Sequence, residues 1–339
     1  MRTSLHRTLD RFHDRALLVA LFALALIAAL LFALPLLASP AVRAQPPAPP
    51  AVIAVADLRG HALVVLDTTD GAIRRVALPG GPHEFVRLDD GRLVVSLEQA
   101  SRLAVVDLSR EPARVEHVEL GGLPHGLALV GSMLYVTDRS LDALRRIDVS
   151  DPDVARWREL EPLAAGRWPH SVAALPNGGL AIAAARDSTL SIGSHVLPVS
   201  ELPETVAVAT GSGDVATAGA LGGTVEVFDA AGRPRWSAAV GGRPVRVVFA
   251  PSGVTVAAAL SAAHAVAFVS ADGAHRVVAV GGAPDGLAFD ASGRFLYAGD
   301  LALGRVSVID VDAGAVRARF DVGESAGALM LLPDGDGRP

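Results

Sequence analysis

The sequence contains no cysteine, and this absence excludes several kinds of chemistry. Disulfides, cysteine-ligated zinc, iron–sulfur clusters, a c-type haem and a thiol nucleophile all require cysteine sulfur. Lysine is missing as well, because all 30 basic residues are arginine. A Schiff-base lysine and the lysine of a phosphate-binding P-loop are therefore also excluded. Polar chemistry is left to Arg, His, Asp and Glu.

Aromatic residues are scarce, at 4% of a chain that is 51% hydrophobic. A chain of 339 residues can bury a large core, and here that core must be built from Val, Leu and Ala. The formal net charge is −6, and the excess of acidic residues lies beyond the basic N-terminus. An acidic domain with few aromatics is a poor nucleic-acid binder, so we expect no nucleic-acid partner.

The N-terminus has the pattern of an export signal. Residues 1–15 carry four Arg and two Asp, and an uncharged apolar run follows at 16–38. The run is long enough to span a bilayer of about 30 Å, whereas Val42-Arg43-Ala44 before Gln45 suits cleavage. We expect residues 1–44 to be either a cleaved signal peptide or a membrane anchor, with 45–50 as a Pro-rich linker. In both cases the following domain is periplasmic or otherwise extracytoplasmic, and only residues 16–38, if uncleaved, contact the membrane.

From residue 51 onward the sequence repeats. Short Val/Ala/Leu runs alternate with Gly, Pro, Asp and Asn turns, which is typical of an all-β fold. A turn containing proline recurs with Pro at positions 82, 124, 169, 203, 244 and 284. The spacings of 42, 45, 34, 41 and 40 residues match the period of a four-stranded propeller blade.

The two ends of this repeat complement each other. Residues 52–79 supply three strands, and the missing strand is Ala328-Leu329-Met330-Leu331-Leu332 near the C-terminus. Pairing these segments closes a ring of seven blades and removes exposed sheet edges. We therefore predict a seven-bladed β-propeller at 51–335 with a tail at 336–339, and a linear β-solenoid is the alternative. Deleting the residues after Gly323 should destabilise the whole ring.

The repeat resembles a known family. Leu134-Tyr135-Val136-Thr137-Asp138 and Leu296-Tyr297-Ala298-Gly299-Asp300 are similar to the YVTN-type, WD40-like β-propeller repeat of bacterial exported proteins. Pro124-His125-Gly126 also resembles the turns of streptogramin-lyase-like propellers, where a channel His acts as a base beside a metal. The resemblance implies a propeller fold, but such propellers include oxidoreductases, lyases, lactonases and binding proteins.

Three histidines occupy the same repeat position in consecutive blades. His83, His125 and His170 each follow the turn proline directly, so they should lie near the central channel on one disc face. Imidazole nitrogens with a carboxylate such as Glu204 suit a divalent metal. By the family resemblance, His125 is also the candidate catalytic base. The alternative is that these turn histidines only hydrogen-bond water or neighbouring backbone carbonyls.

Further polar residues are expected on the same face. Candidate ligand-binding residues are Glu204, Asp285, Asp138, Asp300 and Arg186. Asp at a strand end also commonly stabilises its own turn, and Arg186 could be a solvated surface residue. The leading hypothesis is an exported envelope propeller that binds a small molecule or an envelope protein through this face. The alternative is a metal-dependent lyase or lactonase-like enzyme, with one divalent ion as its cofactor.

Overall fold

In the described part of the chain, short Val, Ala and Leu runs between glycine- and aspartate-containing turns form 28 strands. The computed structural model describes residues 49–333 and Gly337, and its strands form seven four-stranded antiparallel sheets. The predicted all-β, seven-bladed propeller is confirmed. The predicted leader at 1–44, most of the linker at 45–50 and most of the tail at 336–339 lie outside the described residues.

The strands are numbered in chain order. The first three are β1 (Val52–Asp57), β2 (Ala62–Asp67) and β3 (Ile73–Ala77). Blade 2 contains β4 (Phe85–Arg87), β5 (Leu93–Leu97), β6 (Arg102–Asp107) and β7 (Arg114–Glu119). Blade 3 contains β8 (Pro124–Val130), β9 (Met133–Asp138), β10 (Ala143–Asp148) and β11 (Arg158–Ala164). Blade 4 contains β12 (Pro169–Ala174), β13 (Leu180–Ala184), β14 (Thr189–Ile192) and β15 (His195–Pro198).

The remaining blades follow the same order. Blade 5 contains β16 (Pro203–Val208), β17 (Val215–Gly219), β18 (Thr224–Phe228) and β19 (Pro234–Ala239). Blade 6 contains β20 (Pro244–Phe249), β21 (Val256–Leu260), β22 (Ala265–Val269) and β23 (His275–Ala279). Blade 7 contains β24 (Pro284–Phe289), β25 (Phe295–Asp300), β26 (Arg305–Asp310) and β27 (Ala315–Asp321). The last strand is β28 (Leu329–Leu332).

The core lies between neighbouring blades. Successive side chains of β1 point to opposite faces of its sheet. Ile53 therefore packs against blade 7, and Ala54 packs against blade 2. Ile53 shares a cluster with Tyr297, and Ala54 shares one with Leu93. In blade 1 both faces of the two middle strands are covered, so β1 and β2 are apolar along their length up to a terminal Asp instead of alternating with polar residues.

The C-terminal strand closes the ring as predicted. In blade 1, β28 is the first strand of the sheet and pairs antiparallel with β1, from Val52 opposite Leu332 to Val55 opposite Leu329. The Asp57 carboxylate accepts hydrogen bonds from the backbone N–H groups of Glu324 and Ser325, at 3.2 and 2.8 Å. The two ends of the repeat are therefore joined by a strand pair and a buried carboxylate.

Helix is almost absent from the described part of the chain. Two three-residue 3₁₀ turns, Glu98–Ala100 and Val154–Arg156, are found there. Within residues 49–333, no helix has the length and apolar character needed to cross a membrane.

Candidate functional site

The structure brings the three predicted histidines together in one row at the channel. His83 lies just before β4, His125 is the second residue of β8, and His170 is the second residue of β12. The ring centroids of His83 and His125 are 4.8 Å apart, and those of His125 and His170 are 4.1 Å apart. The shared repeat position after the turn proline thus places the rings side by side on three adjacent blades.

Backbone carbonyls of the next blade orient two of these rings. His125 Nδ1 lies 2.8 Å from the carbonyl oxygen of His170, and His170 Nδ1 lies 2.7 Å from that of Glu204. A carbonyl oxygen can only accept, so Nδ1 carries the proton in both rings. Nε2 of each ring therefore holds a free lone pair, which is the state that binds a metal ion.

Glu98 faces the first two histidines. It begins the 3₁₀ turn after β5, and its Oε2 lies 3.8 Å from His83 Nε2 and 4.0 Å from His125 Nε2. This oxygen is buried and has no hydrogen-bond partner, whereas Oε1 is bonded by the Arg139 guanidinium. A buried carboxylate oxygen facing an imidazole lone pair, with no donor between them, leaves room and charge for a cation.

Burial keeps the imidazoles neutral. Burial, with the neighbouring His and Arg139 side chains adding to it, lowers the pKa of His125 well below its ordinary value. Burial and the Arg139 charge lower the pKa of His170 to about 3. The pKa of His83 is lowered by burial too, against the opposing charge of Glu98. All three rings are thus neutral near neutral pH.

The group His83, Glu98 and His125 has the composition of a metal site. One ligand atom from each residue lies within 4.8 Å of the others. Ligands about 2.1 Å from a tetrahedral zinc ion are roughly 3.4 Å apart, so the three side chains need to close by about an ångström. Two imidazoles and one carboxylate suit a divalent transition metal with open positions. The His170 ring lies next to the His125 ring at a tilt of 50°, and His170 is not a member of the group.

The side chains of Glu204 and Asp285 contact arginines and not the histidine group. Arg246 binds Glu84 at 2.6 Å and Asp285 at 3.5 Å, which links blade 6 to blades 2 and 7. Arg243 lies 3.5 Å from Glu204, whose pKa is raised by burial. Glu204 and Asp285 also line a surface pocket of about 350 Å³. The sequence expectation that Glu204 joins the histidines in a metal site does not match this arrangement.

Asp138 and Asp300 are buried and hold turns. Asp138 Oδ1 accepts N–H groups from Leu123, Ser140 and Leu141, at 3.1, 2.9 and 3.2 Å. Asp300 Oδ1 accepts the corresponding three N–H groups in blade 7. These contacts are those of the turn-stabilising alternative, and ligand binding at either carboxylate stays a prediction.

Arg186 lies over an aromatic ring beside the histidines. Its guanidinium carbon is 3.9 Å from the centroid of Trp168, and that of Arg139 is 4.8 Å from the same centroid. Arg139 therefore lies between Glu98 and Trp168. Sequence reasoning assigned no role to Arg139, Glu84 or Arg246. A signal existed for the last two, because they occupy one repeat position, two residues after the turn proline, with opposite charges.

A Gly-x-Ser-x-Gly sequence at 323–327 has the spacing of the nucleophile elbow of serine hydrolases. In this structure the segment contacts Asp57 where blade 1 closes the ring. Ser325 is 1% exposed, and its hydroxyl lies 3.1 Å from Asp57 Oδ1, in the segment between β27 and β28. A nucleophile must be accessible at a strand-to-helix turn, so the geometry does not fit a serine hydrolase.

Comparisons with known proteins support the fold. No protein-family model and no curated protein matches the chain. The chain is similar in structure to a putative 6-phosphogluconolactonase from Bacteroides fragilis, at 14% identity and a TM-score of 0.68 over 87% of this chain and 100% of that one. It is also similar to a catalytically inactive variant of virginiamycin B lyase from Staphylococcus aureus with quinupristin, at 14% identity and a TM-score of 0.60 over 86% of this chain and 97% of that one.

A third similar structure is hydrazine synthase from Kuenenia stuttgartiensis, at 17% identity and a TM-score of 0.65 over 75% of this chain and 96% of that one. Identities this low carry the propeller fold alone. The resemblance to streptogramin-lyase-like propellers holds at the level of the fold, and the finer resemblance to the YVTN-type repeat stays an expectation.

Proposed function

We propose that this protein is an exported cell-envelope propeller that binds a divalent transition-metal ion at the mouth of its channel. The ligands are His83 Nε2, His125 Nε2 and Glu98 Oε2. The observation that carries the proposal is the buried, unpartnered Glu98 Oε2 between two neutral imidazoles. A buried polar atom without a partner costs free energy, and a bound cation removes that cost.

The surroundings of the ligands support this assignment. The His125 ring is held through Nδ1 by a backbone carbonyl, and Glu98 is held through its other oxygen by Arg139. Such outer contacts fix the orientation of metal ligands and favour the correct tautomer. A rigid propeller face also suits the capture of a small ligand or an envelope protein around the ion.

Export is the part of the proposal that depends on sequence alone. The basic, then apolar, N-terminus at 1–38 supports a periplasmic or extracytoplasmic location, either secreted or anchored by residues 16–38. The absence of cysteine is compatible with a metal site in an oxidising compartment, because no ligand of this site can be oxidised to a disulfide.

Metal binding is tested on the full-length protein stripped with chelator and then dialysed against Zn²⁺ or Co²⁺. We expect about one ion per chain in the wild type. Glu98→Gln and His83→Ala should weaken Co²⁺ affinity at least about 100-fold, because each removes a ligand. His117→Ala is the matched control, since His117 is an exposed residue of the outer strand β7. Circular dichroism confirms that each variant is folded. A folded wild type that retains no ion, or equal retention in Glu98→Gln and His117→Ala, would overturn the proposal.

The second candidate function is a metal-dependent lyase or lactonase-like enzyme. In this alternative His83 and Glu98 hold the metal and His125 is not a ligand, so the Nε2 lone pair of its neutral, buried ring can accept a proton from a substrate or from water. Virginiamycin B lyase and a putative 6-phosphogluconolactonase share the fold. Turnover of quinupristin or of simple lactones by the metal-loaded protein, lost in His125→Ala, would establish it. No turnover by a protein that retains the metal would leave the binding function.

A further inference from the structure

The proposed metal site is short of negative charge. Glu98 supplies one negative charge, and the Arg139 guanidinium bonded to it cancels that charge. The neutral rings of His83 and His125 add none. Glu84 and Asp285 also act on His83, but Arg246 binds both carboxylates and leaves one net negative charge there. A divalent ion would therefore bring at least one uncompensated positive charge next to Glu98 and His125, whose side chains are 10% and 6% exposed. Burying unbalanced charge is costly, so an anion must accompany the metal.

The side chains next to this site are arranged to hold an anion. Arg139 and Arg186 both lie over Trp168, at 4.8 and 3.9 Å from its ring centroid. Stacking on tryptophan holds an arginine in place without using its N–H groups. Arg139 Nε is buried and unpartnered. Among the side chains at 49–333, no carboxylate lies in ion-pair range of Arg186, which is exposed on the same disc face.

We propose that a small oxyanion, a carboxylate or a phosphate, binds beside the metal and is held by Arg186, with Arg139 and Trp168 forming the rest of its site. This inference rests on the proposed metal site. One anion oxygen takes an open coordination position of the ion. The other oxygens accept hydrogen bonds from the N–H groups of the Arg186 guanidinium. The planar guanidinium matches the geometry of a carboxylate or a phosphate. The substrate or cargo of the site is thus a metal ion together with an oxyanion.

The test uses Co²⁺-loaded protein, because the visible absorption of Co²⁺ changes when a ligand enters its coordination shell. Acetate and methyl phosphate are titrated separately, and the stronger binder identifies the class of oxyanion. Arg186→Gln should weaken the binding of that anion by about fivefold or more, because one charged hydrogen-bond donor group is lost. Arg319→Gln is the matched control, since Arg319 is exposed on the outer strand β27. Cobalt affinity is measured for every protein in anion-free buffer.

Each outcome separates this inference from the metal proposal. A wild type that binds no Co²⁺ overturns both. If the wild type binds Co²⁺ and neither anion changes the spectrum, the metal site stands and the oxyanion site does not exist. Equal anion affinities in Arg186→Gln and Arg319→Gln overturn the role of Arg186. A loss of cobalt affinity in anion-free Arg186→Gln would show that Arg186 supports the metal ligands, and it would overturn the proposal as well.

Discussion

Single residues in this protein are constrained by the neighbouring blade as much as by their own. Gly126 follows His125, and a Cβ at this position would lie 2.8 Å from the His170 carbonyl oxygen and 3.0 Å from Thr137 Oγ1. The same carbonyl orients the His125 ring. Gly126 is therefore required because the backbone of blade 4 lies directly against it. A side chain here would also displace the His170 carbonyl that orients the proposed metal ligand His125.

Gly126→Ala should consequently damage both stability and metal binding. We expect the free energy of unfolding to fall by about 1–3 kcal/mol, which is typical of overpacking, and Co²⁺ affinity to fall with it. Gly211→Ala is the control, because its Cβ would meet open space, and it should change stability by no more than about 0.5 kcal/mol. Denaturant unfolding and cobalt titration measure the two effects. Equal stability of the two variants would show that the close contact at Gly126 is relieved at no cost.

The sequence predicts the candidate site only in part. The three histidines could be found because they share one position in a regular repeat, and the repeat fixes where inner-strand residues meet. The position of Glu98 at the end of a second strand puts it on the same face, but its contact with His83 and His125 could not be predicted, because it depends on a 3₁₀ turn and on the ion pair with Arg139. Arg139 stands next to Asp138 in sequence, yet the neighbours have different roles, since only the Arg side chain reaches across to blade 2.

At the scale of the element, an aspartate at the end of the second strand stabilises the neighbouring turns in several blades. Asp57, Asp138 and Asp300 end β1, β9 and β25, and each accepts backbone N–H groups of nearby turns. In blade 3 the carboxylate also binds Arg145 Nε at 2.8 Å. The strands were predictable from the alternation of apolar runs and turns. Turn stabilisation by Asp138 and Asp300 was one of the two alternatives that the sequence offered, and ligand binding was the other.

Asp138 makes the stability of blade 3 dependent on pH. Burial would raise the pKa of its carboxyl, but hydrogen bonds from Ser140, Arg145 and the Leu123 N–H outweigh burial and lower it. A lowered pKa in the folded state stabilises the protein above the ordinary value of 3.8, and this stabilisation is lost as the pH falls through the folded-state value. The stabilisation should thus be complete at neutral pH.

Asp138→Asn tests this dependence. At pH 7 the variant should lose roughly 2 kcal/mol of unfolding free energy, because bonds to a charged acceptor are weakened. The difference from wild type should begin to shrink as the pH falls below 3.8, and it should be lost below the lowered folded-state pKa, where the folded wild-type carboxyl also becomes neutral. Asp321→Asn, at the exposed end of β27, serves as the control. Urea unfolding at several pH values gives the result, and a difference that stays constant down to low pH would contradict the assigned role.

At the scale of the whole molecule, the ring was predictable because its two ends carry complementary partial repeats. Blade 1 takes three strands from the N-terminal part of the repeat and β28 from the C-terminal part. The sequence could not show which contacts hold the segment between β27 and β28 against blade 1. Asp57 receives N–H groups of Glu324 and Ser325, and Arg75 binds both this carboxylate and the Val322 carbonyl, each at 2.8 Å.

Truncation after Gly323 tests whether this closure stabilises the entire propeller. It removes β28, takes from the Asp57 carboxylate three donors, the Glu324 and Ser325 N–H groups and the Ser325 hydroxyl, and uncovers one edge of β1. Because every blade packs on its neighbours, the loss should spread around the ring and lower unfolding free energy by at least about 3 kcal/mol in one cooperative transition. Truncation after Leu332 retains β28 and should unfold like the full chain.

A peptide of residues 324–333 added to the truncated protein should restore part of the lost stability, because it can pair with the open edge of β1 as an added strand.

Cobalt binding to the truncated protein shows whether the opening of blade 1 affects the blades that hold the metal ligands. The metal ligands belong to blades 2 and 3, so cobalt affinity should fall only if opening blade 1 loosens the ring as a whole. A truncated protein with unchanged unfolding would mean that blade 1 closes adequately with three strands. Lost stability with full cobalt affinity would mean that the damage stays within blade 1.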